Sequence, residues 1–396
     1  MLAPPLPERW WVDDDHQQPF LRYRRMLWSW GVAEALGLDD AAYVRIVTDL
    51  DDAVADVDGS GFRVTPCAEQ PDLASAVGHD GPLWVKDETG NVSGSHKARH
   101  LFGLAVQLAV LDRAGRGGDA EGPLAIASCG NAALGAAVVA AAAHRRLQVF
   151  VPPVAAPSVL ERLDDLGADL VICERREGEA GDPCYLRFRE AVAGGAVPFG
   201  CQGTDNGMTI DGGRTLGFEL GEQISAAGLD HIYVQVGGGA LATSVTDGLA
   251  AAAGAGGPLD HEPALHPVQT RGCHPLALAH DRVVQRFGGD VDEAAVHRGE
   301  VMVPWPEEPH SIAGGILDDE TYDWQAVVRR TLATGGAPVV VEEADVRTAY
   351  ELADAHTDVP ADHTGTAGLA GLVRDIADGA TRSGSSVAVV FTGRRR

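Results

Sequence analysis

Basic residues are scarce. The chain of 396 residues carries 31 Lys and Arg against 57 Asp and Glu, a formal net charge of −26. Gripping a phosphate backbone requires a basic footprint, so nucleic-acid binding is excluded as the main activity. The same deficit disfavours docking on anionic membranes. The acidic excess reads as a solvated surface that aids solubility. Cysteine is sparse as well: six residues, at 67, 129, 173, 184, 201 and 273, form no CxxC pair. That is too few for a disulfide scaffold in a chain of this size, and reduced, intracellular thiols are expected. Long apolar runs are lacking. The longest, residues 132–143, is mostly alanine and falls short of the roughly 20 residues that span a bilayer. The opening MLAPPLPERWWVDDD has no basic region followed by an apolar core, so no secretory leader is expected and the address is expected to be cytoplasmic. Apolar content is an ordinary 45% and no long run of one charge sign occurs, which excludes a disordered chain.

What is present is a recurring unit: a short apolar run, a Gly or Pro turn, then an alanine-rich helical stretch. LAIASCGN (124–131) precedes 132–144, QVFVPP (148–153) precedes 158–166, and HIYVQVGGG (231–239) precedes 241–253. ADLVIC (168–173), HPVQTRG (266–272) and SVAVVFTG (386–393) are further runs of the same kind. Continuous apolar strands alternating with helices predict an α/β protein with parallel sheets covered on both faces. Ser158 and Glu161 have capping-box spacing and predict a helix start at Ser158. The first 60 or so residues differ: Leu21–Leu36, with Trp28 and Trp30, reads as an aromatic helix packed on the main body. The glycine-rich stretch 251–257 reads as a loop. No internal repeat stands out.

Four stretches carry candidate chemistry. In the first, Lys97 follows a Ser/Gly turn and opens a predicted helix over 97–112. A helix N-terminus and nearby Arg99 both penalise an ammonium, which favours a neutral amine able to form a Schiff base. In the second, Ser128, Cys129, Gly130 and Asn131 join a strand to a helix. Free N–H groups there suit a carboxylate or phosphate, although a plain capped turn has the same composition. In the third, Gly237, Gly238, Gly239, Ala240 and Leu241 follow a strand directly, and successive N–H groups can form a nest for a phosphate. Gly237, Gly239 and Ala242 also fit the looser GxGxxA spacing of a dinucleotide loop. The acid expected at the end of the next strand is missing, because Asp260 and Glu262 come before it. In the fourth, Thr392 ends the terminal strand and places a hydroxyl where open α/β sheets bind ligands.

In this order and at these separations, the stretches resemble the fold type II pyridoxal-phosphate enzymes. The similarity is strongest to the threonine synthase and threonine (serine) dehydratase group of the tryptophan synthase beta-like superfamily. It runs from about Thr65 and Pro66 to Gly393 and includes Lys86, Glu88, Asn91, Ser95, Lys97 and Arg99. It also takes in the Ser-x-Gly-Asn turn, Gly213 to Thr215 with Glu219, the triple glycine, the segment Ser311–Ile316 and the terminal Thr-Gly. The resemblance implies a two-lobed α/β fold with pyridoxal 5'-phosphate in the cleft. It implies that Lys97 carries the cofactor as a Schiff base and moves the α-proton. Asn131 would contact the ring hydroxyl, Gly237–Leu241 the phosphate and Thr392 the pyridine nitrogen, while Ser128–Asn131 would cradle the substrate carboxylate. A neutral hydroxyl opposite the ring nitrogen weakens the electron sink and favours elimination over long-lived carbanions.

The implied lobes are 61–92 with 206–396, the large cofactor-binding lobe, and 93–205, the small mobile lobe. Residues 1–60 are expected to form a helical extension on the large lobe. The expected activity is a lyase of dehydratase type on a small amino acid such as threonine or serine, in a homodimer. A threonine synthase-like replacement on a phosphorylated homoserine-type substrate is the alternative, and a catalytically silent cofactor-binding protein or a nicotinamide-dependent oxidoreductase are rivals from other classes. This chain departs from the group in having His96 before the lysine, Ala98 after it, and Cys129 where Ser or Ala is usual. Its tail Arg394–Arg396 is also shorter than the end common in threonine synthases. His96 and His100 share a helix face, but no third ligand is evident and no metal is expected.

Overall fold

The computed structural model describes residues 11, 14–179, 181–254, 256–380 and 383–395. The opening residues 1–10, on which the reading of no leader partly rests, lie outside the described residues. So do Ala255 of the glycine-rich stretch and Arg396 of the tail.

Among the described residues there are ten strands: β1 (Cys67–Glu69), β2 (Leu83–Asp87), β3 (Leu124–Ala127), β4 (Leu147–Val151), β5 (Asp169–Ile172), β6 (Val197–Pro198), β7 (His231–Gln235), β8 (Ala264–Thr270), β9 (Val339–Val341) and β10 (Val387–Phe391). They form a six-stranded sheet in the order β1-β2-β10-β7-β8-β9 and a four-stranded sheet in the order β5-β4-β3-β6. Among these strands β1 runs antiparallel to β2, and the other pairs are parallel. The chain divides into two compact units. One comprises the described residues up to Val64 together with Asn91–Thr215; the other comprises Thr65–Gly90 and Leu216–Arg396.

The second unit holds the larger sheet. Every residue of β10 is buried, as expected for a central parallel strand covered on both faces. Val389 pairs with Val85 on one side and Tyr233 on the other. Its core gathers Leu83, Val85, Val268, Val387, Val389 and Phe391 with the helices Glu343–His356 and Ala367–Ala377. The first unit holds the smaller sheet, with Ala125, Phe150, Phe188 and Cys184 in its core.

The N-terminal helices Trp28–Ala35 and Asp40–Asp58 belong to the first unit, not to the larger sheet where the sequence reading put them. The reason is specific. Asp211, itself buried, accepts the otherwise open N–H groups of Trp28 at 2.9 Å and Ser29 at 3.1 Å. Arg214 donates to Met26 O at 3.0 Å and stacks over Trp28 at 5.2 Å. Phe20, Phe62 and Phe102 close an aromatic cluster with centroids 4.6–5.4 Å apart.

The helix expected from Ser158 starts one residue earlier, at Pro157, and the capping box is not made. Proline at the first helical position presets φ and needs no partner for a missing N–H, so Ser158 falls inside the first turn. Among the described residues no helix is long and apolar enough to cross a membrane.

Candidate active site

Lys97 opens the helix Lys97–Arg113. The backbone just before it turns through two left-handed residues, Ser93 (φ 56°) and Gly94 (φ 72°). A serine in that region carries strain of about 1 kcal/mol or more, which surrounding contacts must hold in place. Asp58 accepts from Ser93 N–H at 2.8 Å, and Asn91 Oδ1 accepts from Val92 N–H at 2.9 Å. The turn delivers Ser95 and His96 into the interior and leaves Lys97 half-buried among buried neighbours. Ser95 Oγ, fully buried, has no partner among the described residues.

Helix packing fixes this corner. Arg99 is buried and donates to Thr215 Oγ1 at 2.9 Å. A Cβ on Gly212 would lie 2.1 Å from Arg99 O, and one on Gly103 2.6 Å from Gly212 Cα. The lysine helix and the helix Thr209–Ile224 therefore meet backbone to backbone at Gly103 and Gly212. His100 Nδ1 lies 2.9 Å from Thr209 O; a carbonyl only accepts, so this nitrogen carries the proton. Burial first, and the charge of Lys97 next, lower the His100 pKa from 6.5 to about 3. The imidazole is thus neutral and its Nδ1 is occupied. No three His, Cys, Asp or Glu side chains among the described residues are arranged to hold a metal.

Ser128, Cys129 and Gly130 link β3 to the helix Asn131–Ala142. Gly130 is the residue preceding that helix, and no side chain caps its first turn. Ser128 Oγ reaches only Gly130 N–H, at a long 3.4 Å. The start of this helix therefore lacks a strong side-chain cap, a geometry that suits an anion. The same helix packs on the start of the lysine helix: a Cβ on Gly135 would lie 3.3 Å from Ala98 N. Within the first unit the structure thus brings the Ser128–Asn131 turn and Lys97 into one neighbourhood.

In the second unit, Gly237, Gly238 and Gly239 follow β7, and Gly239 (φ 99°) precedes the helix Ala240–Ala252. Thr321 Oγ1 donates to Gly237 O at 2.9 Å and Asp323 N–H to Gly238 O at 2.9 Å. Across a trans peptide the carbonyl of one residue and the N–H of the next point oppositely. Tying back those two carbonyls therefore aims the N–H groups of Gly238 and Gly239 away from segment 318–323. The glycines are needed, since a Cβ on Gly237 would meet Asp318 Oδ2 at 2.3 Å. Thr392, 2% exposed, follows β10, the strand beside β7. Glycine loop and hydroxyl therefore share one carboxyl edge of the sheet. The strand after the Ala240 helix, β8, ends at Thr270 and is followed by Arg271, without the acid that a dinucleotide loop calls for.

One signal was open to sequence reading and was missed: Lys86 and Lys97 are the chain's two lysines. Lys86, on β2, is fully buried, with Nζ 2.6 Å from Glu219 Oε2, 2.7 Å from Thr65 O and 2.8 Å from Gln223 Oε1. Three oxygens take its three protons. Among the described residues Lys97 Nζ has no hydrogen-bond or ion-pair partner.

The family model described as pyridoxal-phosphate dependent enzyme matches residues 60–393. The chain belongs to that family. Its cofactor is pyridoxal phosphate. The biosynthetic L-threonine dehydratase of Haemophilus influenzae is 26% identical over 183 residues, 46% of this chain. That match spans 33% of the dehydratase, so the chain covers about a third of the length of this relative. Maize serine racemase superposes with a TM-score of 0.65 at 19% identity, covering 88% of this chain and 93% of that one. The processed threonine deaminase isoform 2 of Solanum lycopersicum gives 0.65 at 17% identity, covering 91% of each. At these identities the two structures speak for the fold, which is that of the fold type II enzymes.

The residues present fit the group. The glycine nest and the first turn of the Ala240 helix offer several N–H donors to a dianionic phosphate, in a chain whose net charge opposes it. Gln235 Nε2 donates to Thr392 Oγ at 2.7 Å, so the threonine proton is left for an acceptor such as a ring nitrogen. Gln235 drew no notice in the sequence, where it is one polar residue inside an apolar strand.

Proposed function

We propose that the protein is a lyase of ammonia-lyase or dehydratase type. It acts on a small amino acid bearing a hydroxyl or other leaving group, threonine and serine being the foremost candidates. Lys97 is assigned as the residue that carries the cofactor and moves the α-proton. The observation that carries this assignment is the contrast between the two lysines: Lys86 is buried and bound by three oxygens, whereas Lys97 is half-buried and unpaired at a helix start.

Bound pyridoxal phosphate supplies an electron-withdrawing ring that acidifies the substrate α-carbon. The roles of this chain's residues follow from their chemistry. The N–H groups at Gly237–Leu241 hold the phosphate, and Asn131 meets the ring hydroxyl. Ser128–Asn131 hold the substrate carboxylate at a helix N-terminus and so orient the α-proton towards Lys97. Thr392 offers a neutral hydroxyl to the ring nitrogen, not a carboxylate that would keep it protonated. Electron withdrawal is then moderate, which favours early departure of the leaving group. The net reaction releases ammonia and leaves a 2-oxo acid, with one water expelled and one consumed. The relationship to a threonine dehydratase supports this class. A cytoplasmic homodimer belongs to the same reading, and sedimentation of the purified protein tests the dimer.

A panel of amino acids decides the substrate. Equimolar ammonia and 2-oxo acid from threonine or serine is the expected result. Phosphate release from a phosphorylated homoserine without ammonia would favour the synthase reading. A panel in which no amino acid perturbs the cofactor spectrum would favour a silent binding protein.

A further inference from the structure

Gln235, the last residue of β7, is 3% exposed. Its Nε2 lies 3.0 Å from Gly365 O, 3.1 Å from Val390 O and 2.7 Å from Thr392 Oγ. Carbonyl oxygens carry no proton, so the amide must turn its NH2 towards them. The opposite orientation would set Oε1 against two carbonyl oxygens. The nitrogen is therefore a donor to Thr392 as well, and the threonine oxygen can only accept in that bond. The two amide protons serve three oxygens, so one is shared, and the Thr392 proton points off the Gln235 axis. Among the described residues Thr392 donates to no one.

The seat of this amide is tight. A Cβ on Gly368 would lie 2.9 Å from Gln235 Oε1, and one on Gly365 2.8 Å from Gly393 O. Gln235 Oε1 accepts from nothing among the described residues. Leaving a buried carbonyl unsatisfied is costly, an odd choice for a side chain that only fills space. Asp362, the carboxylate of the adjoining turn, is engaged by Gly365 N–H at 2.6 Å.

We infer that Gln235 is a positioning residue that locks the Thr392 hydroxyl as a donor and so keeps the cofactor's ring nitrogen an unprotonated acceptor. The inference rests on the proposed meeting of Thr392 with that nitrogen. It goes further by naming what sets the polarity of the contact. With an acceptor in place of the amide nitrogen, the hydroxyl proton would turn towards residue 235. The ring nitrogen would then lose its donor, or take up a proton and donate to Thr392 Oγ.

The test is the nitrogen-15 resonance of ring-labelled pyridoxal phosphate bound to the purified protein, in wild type and in Thr392→Val, Gln235→Glu and Gln235→Leu. Wild type is expected to show a neutral, hydrogen-bonded nitrogen. Thr392→Val should move the resonance towards an unbonded nitrogen. Gln235→Glu should move it either the same way or to the protonated position. Gln235→Leu, which frees the hydroxyl without reversing it, should give an intermediate shift and bind the cofactor about five- to tenfold more weakly, the worth of one hydrogen bond. If Thr392→Val moves the signal and neither Gln235 variant does, the positioning role is overturned while the Thr392 contact stands. If Thr392→Val leaves the signal unmoved, the contact itself falls, and the role of Gln235 with it.

Discussion

Removing the ammonium of Lys86 tests the electrostatic frame of the second unit. Lys86 and Glu219 are both fully buried, 2.6 Å apart. Glu219 Oε2 also accepts from Thr65 N–H at 3.0 Å, and Glu88, a second buried carboxylate, accepts from Thr65 Oγ1. Lys86→Met keeps most of the apolar stem and its packing but removes the ammonium that sits 2.6 Å from the buried Glu219 carboxylate. Breaking a buried pair in this way costs about 3–5 kcal/mol. The loss of the donor to Thr65 O and Gln223 falls within the same penalty. Typical domain stability is about 5–15 kcal/mol, so the variant should lose about a fifth of it or more. Glu219→Leu should cost a similar amount by stranding the ammonium. The double variant Lys86→Met with Glu219→Leu should fall short of the summed single costs by at least about 2 kcal/mol, since neither charge is then left alone. Urea unfolding of the cofactor-free protein, followed by tryptophan fluorescence and far-UV circular dichroism, measures all three. Single variants within about 1 kcal/mol of wild type, or costs that simply add, would refute the reasoning.

Three other outcomes are expected. Burial, and for each a nearby positive or imidazole charge, lowers the pKa of His100 to about 3 and of His266 to about 4, from 6.5. The unfolded chain therefore takes up protons that the folded chain refuses. Stability is full above pH 6.5 and is lost as pH falls towards 4, by about 3 kcal/mol for His266 alone. Urea midpoints should show this slope and His266→Gln should flatten it; an unchanged slope contradicts the assignment. Gly237→Ala would place a methyl 2.3 Å from Asp318 Oδ2 and should weaken cofactor binding about tenfold or more in equilibrium dialysis, with unchanged affinity as the contrary result. Ser93→Gly should be tolerated and Ser93→Val should cost about 2 kcal/mol in thermal unfolding, because residue 93 is left-handed; equal effects would deny the strain.

Much of the fold was legible because its central strands are continuous apolar runs, as at 124–127, 147–151, 231–235 and 387–391. The short strands at 67–69, 197–198 and 339–341 were not. Two or three residues make no pattern, and Pro198 argues locally against a strand. The placement of the N-terminal helices was hidden because aromatic content says that a helix packs, not where. The decision belongs to Asp211, more than 180 residues away in the chain. The lobe boundary expected at 205/206 falls at 215/216, inside the helix Thr209–Ile224, where composition does not change. Glycine loops and the serine turn were readable at the site because their backbones need special residues. The bond between Gln235 and Thr392 was not, since it depends on two strands 157 residues apart pairing in parallel.

The central claim is that Lys97 carries the cofactor, and the scarcity of lysine makes the claim easy to test. Borohydride reduction of the protein loaded with pyridoxal phosphate, followed by peptide mapping, can place a pyridoxyl label on only two lysine side chains. A label on the peptide containing Lys97, abolished by Lys97→Ala in a protein that still folds, is the predicted result. A label on Lys86, or one that survives in Lys97→Ala, would contradict it.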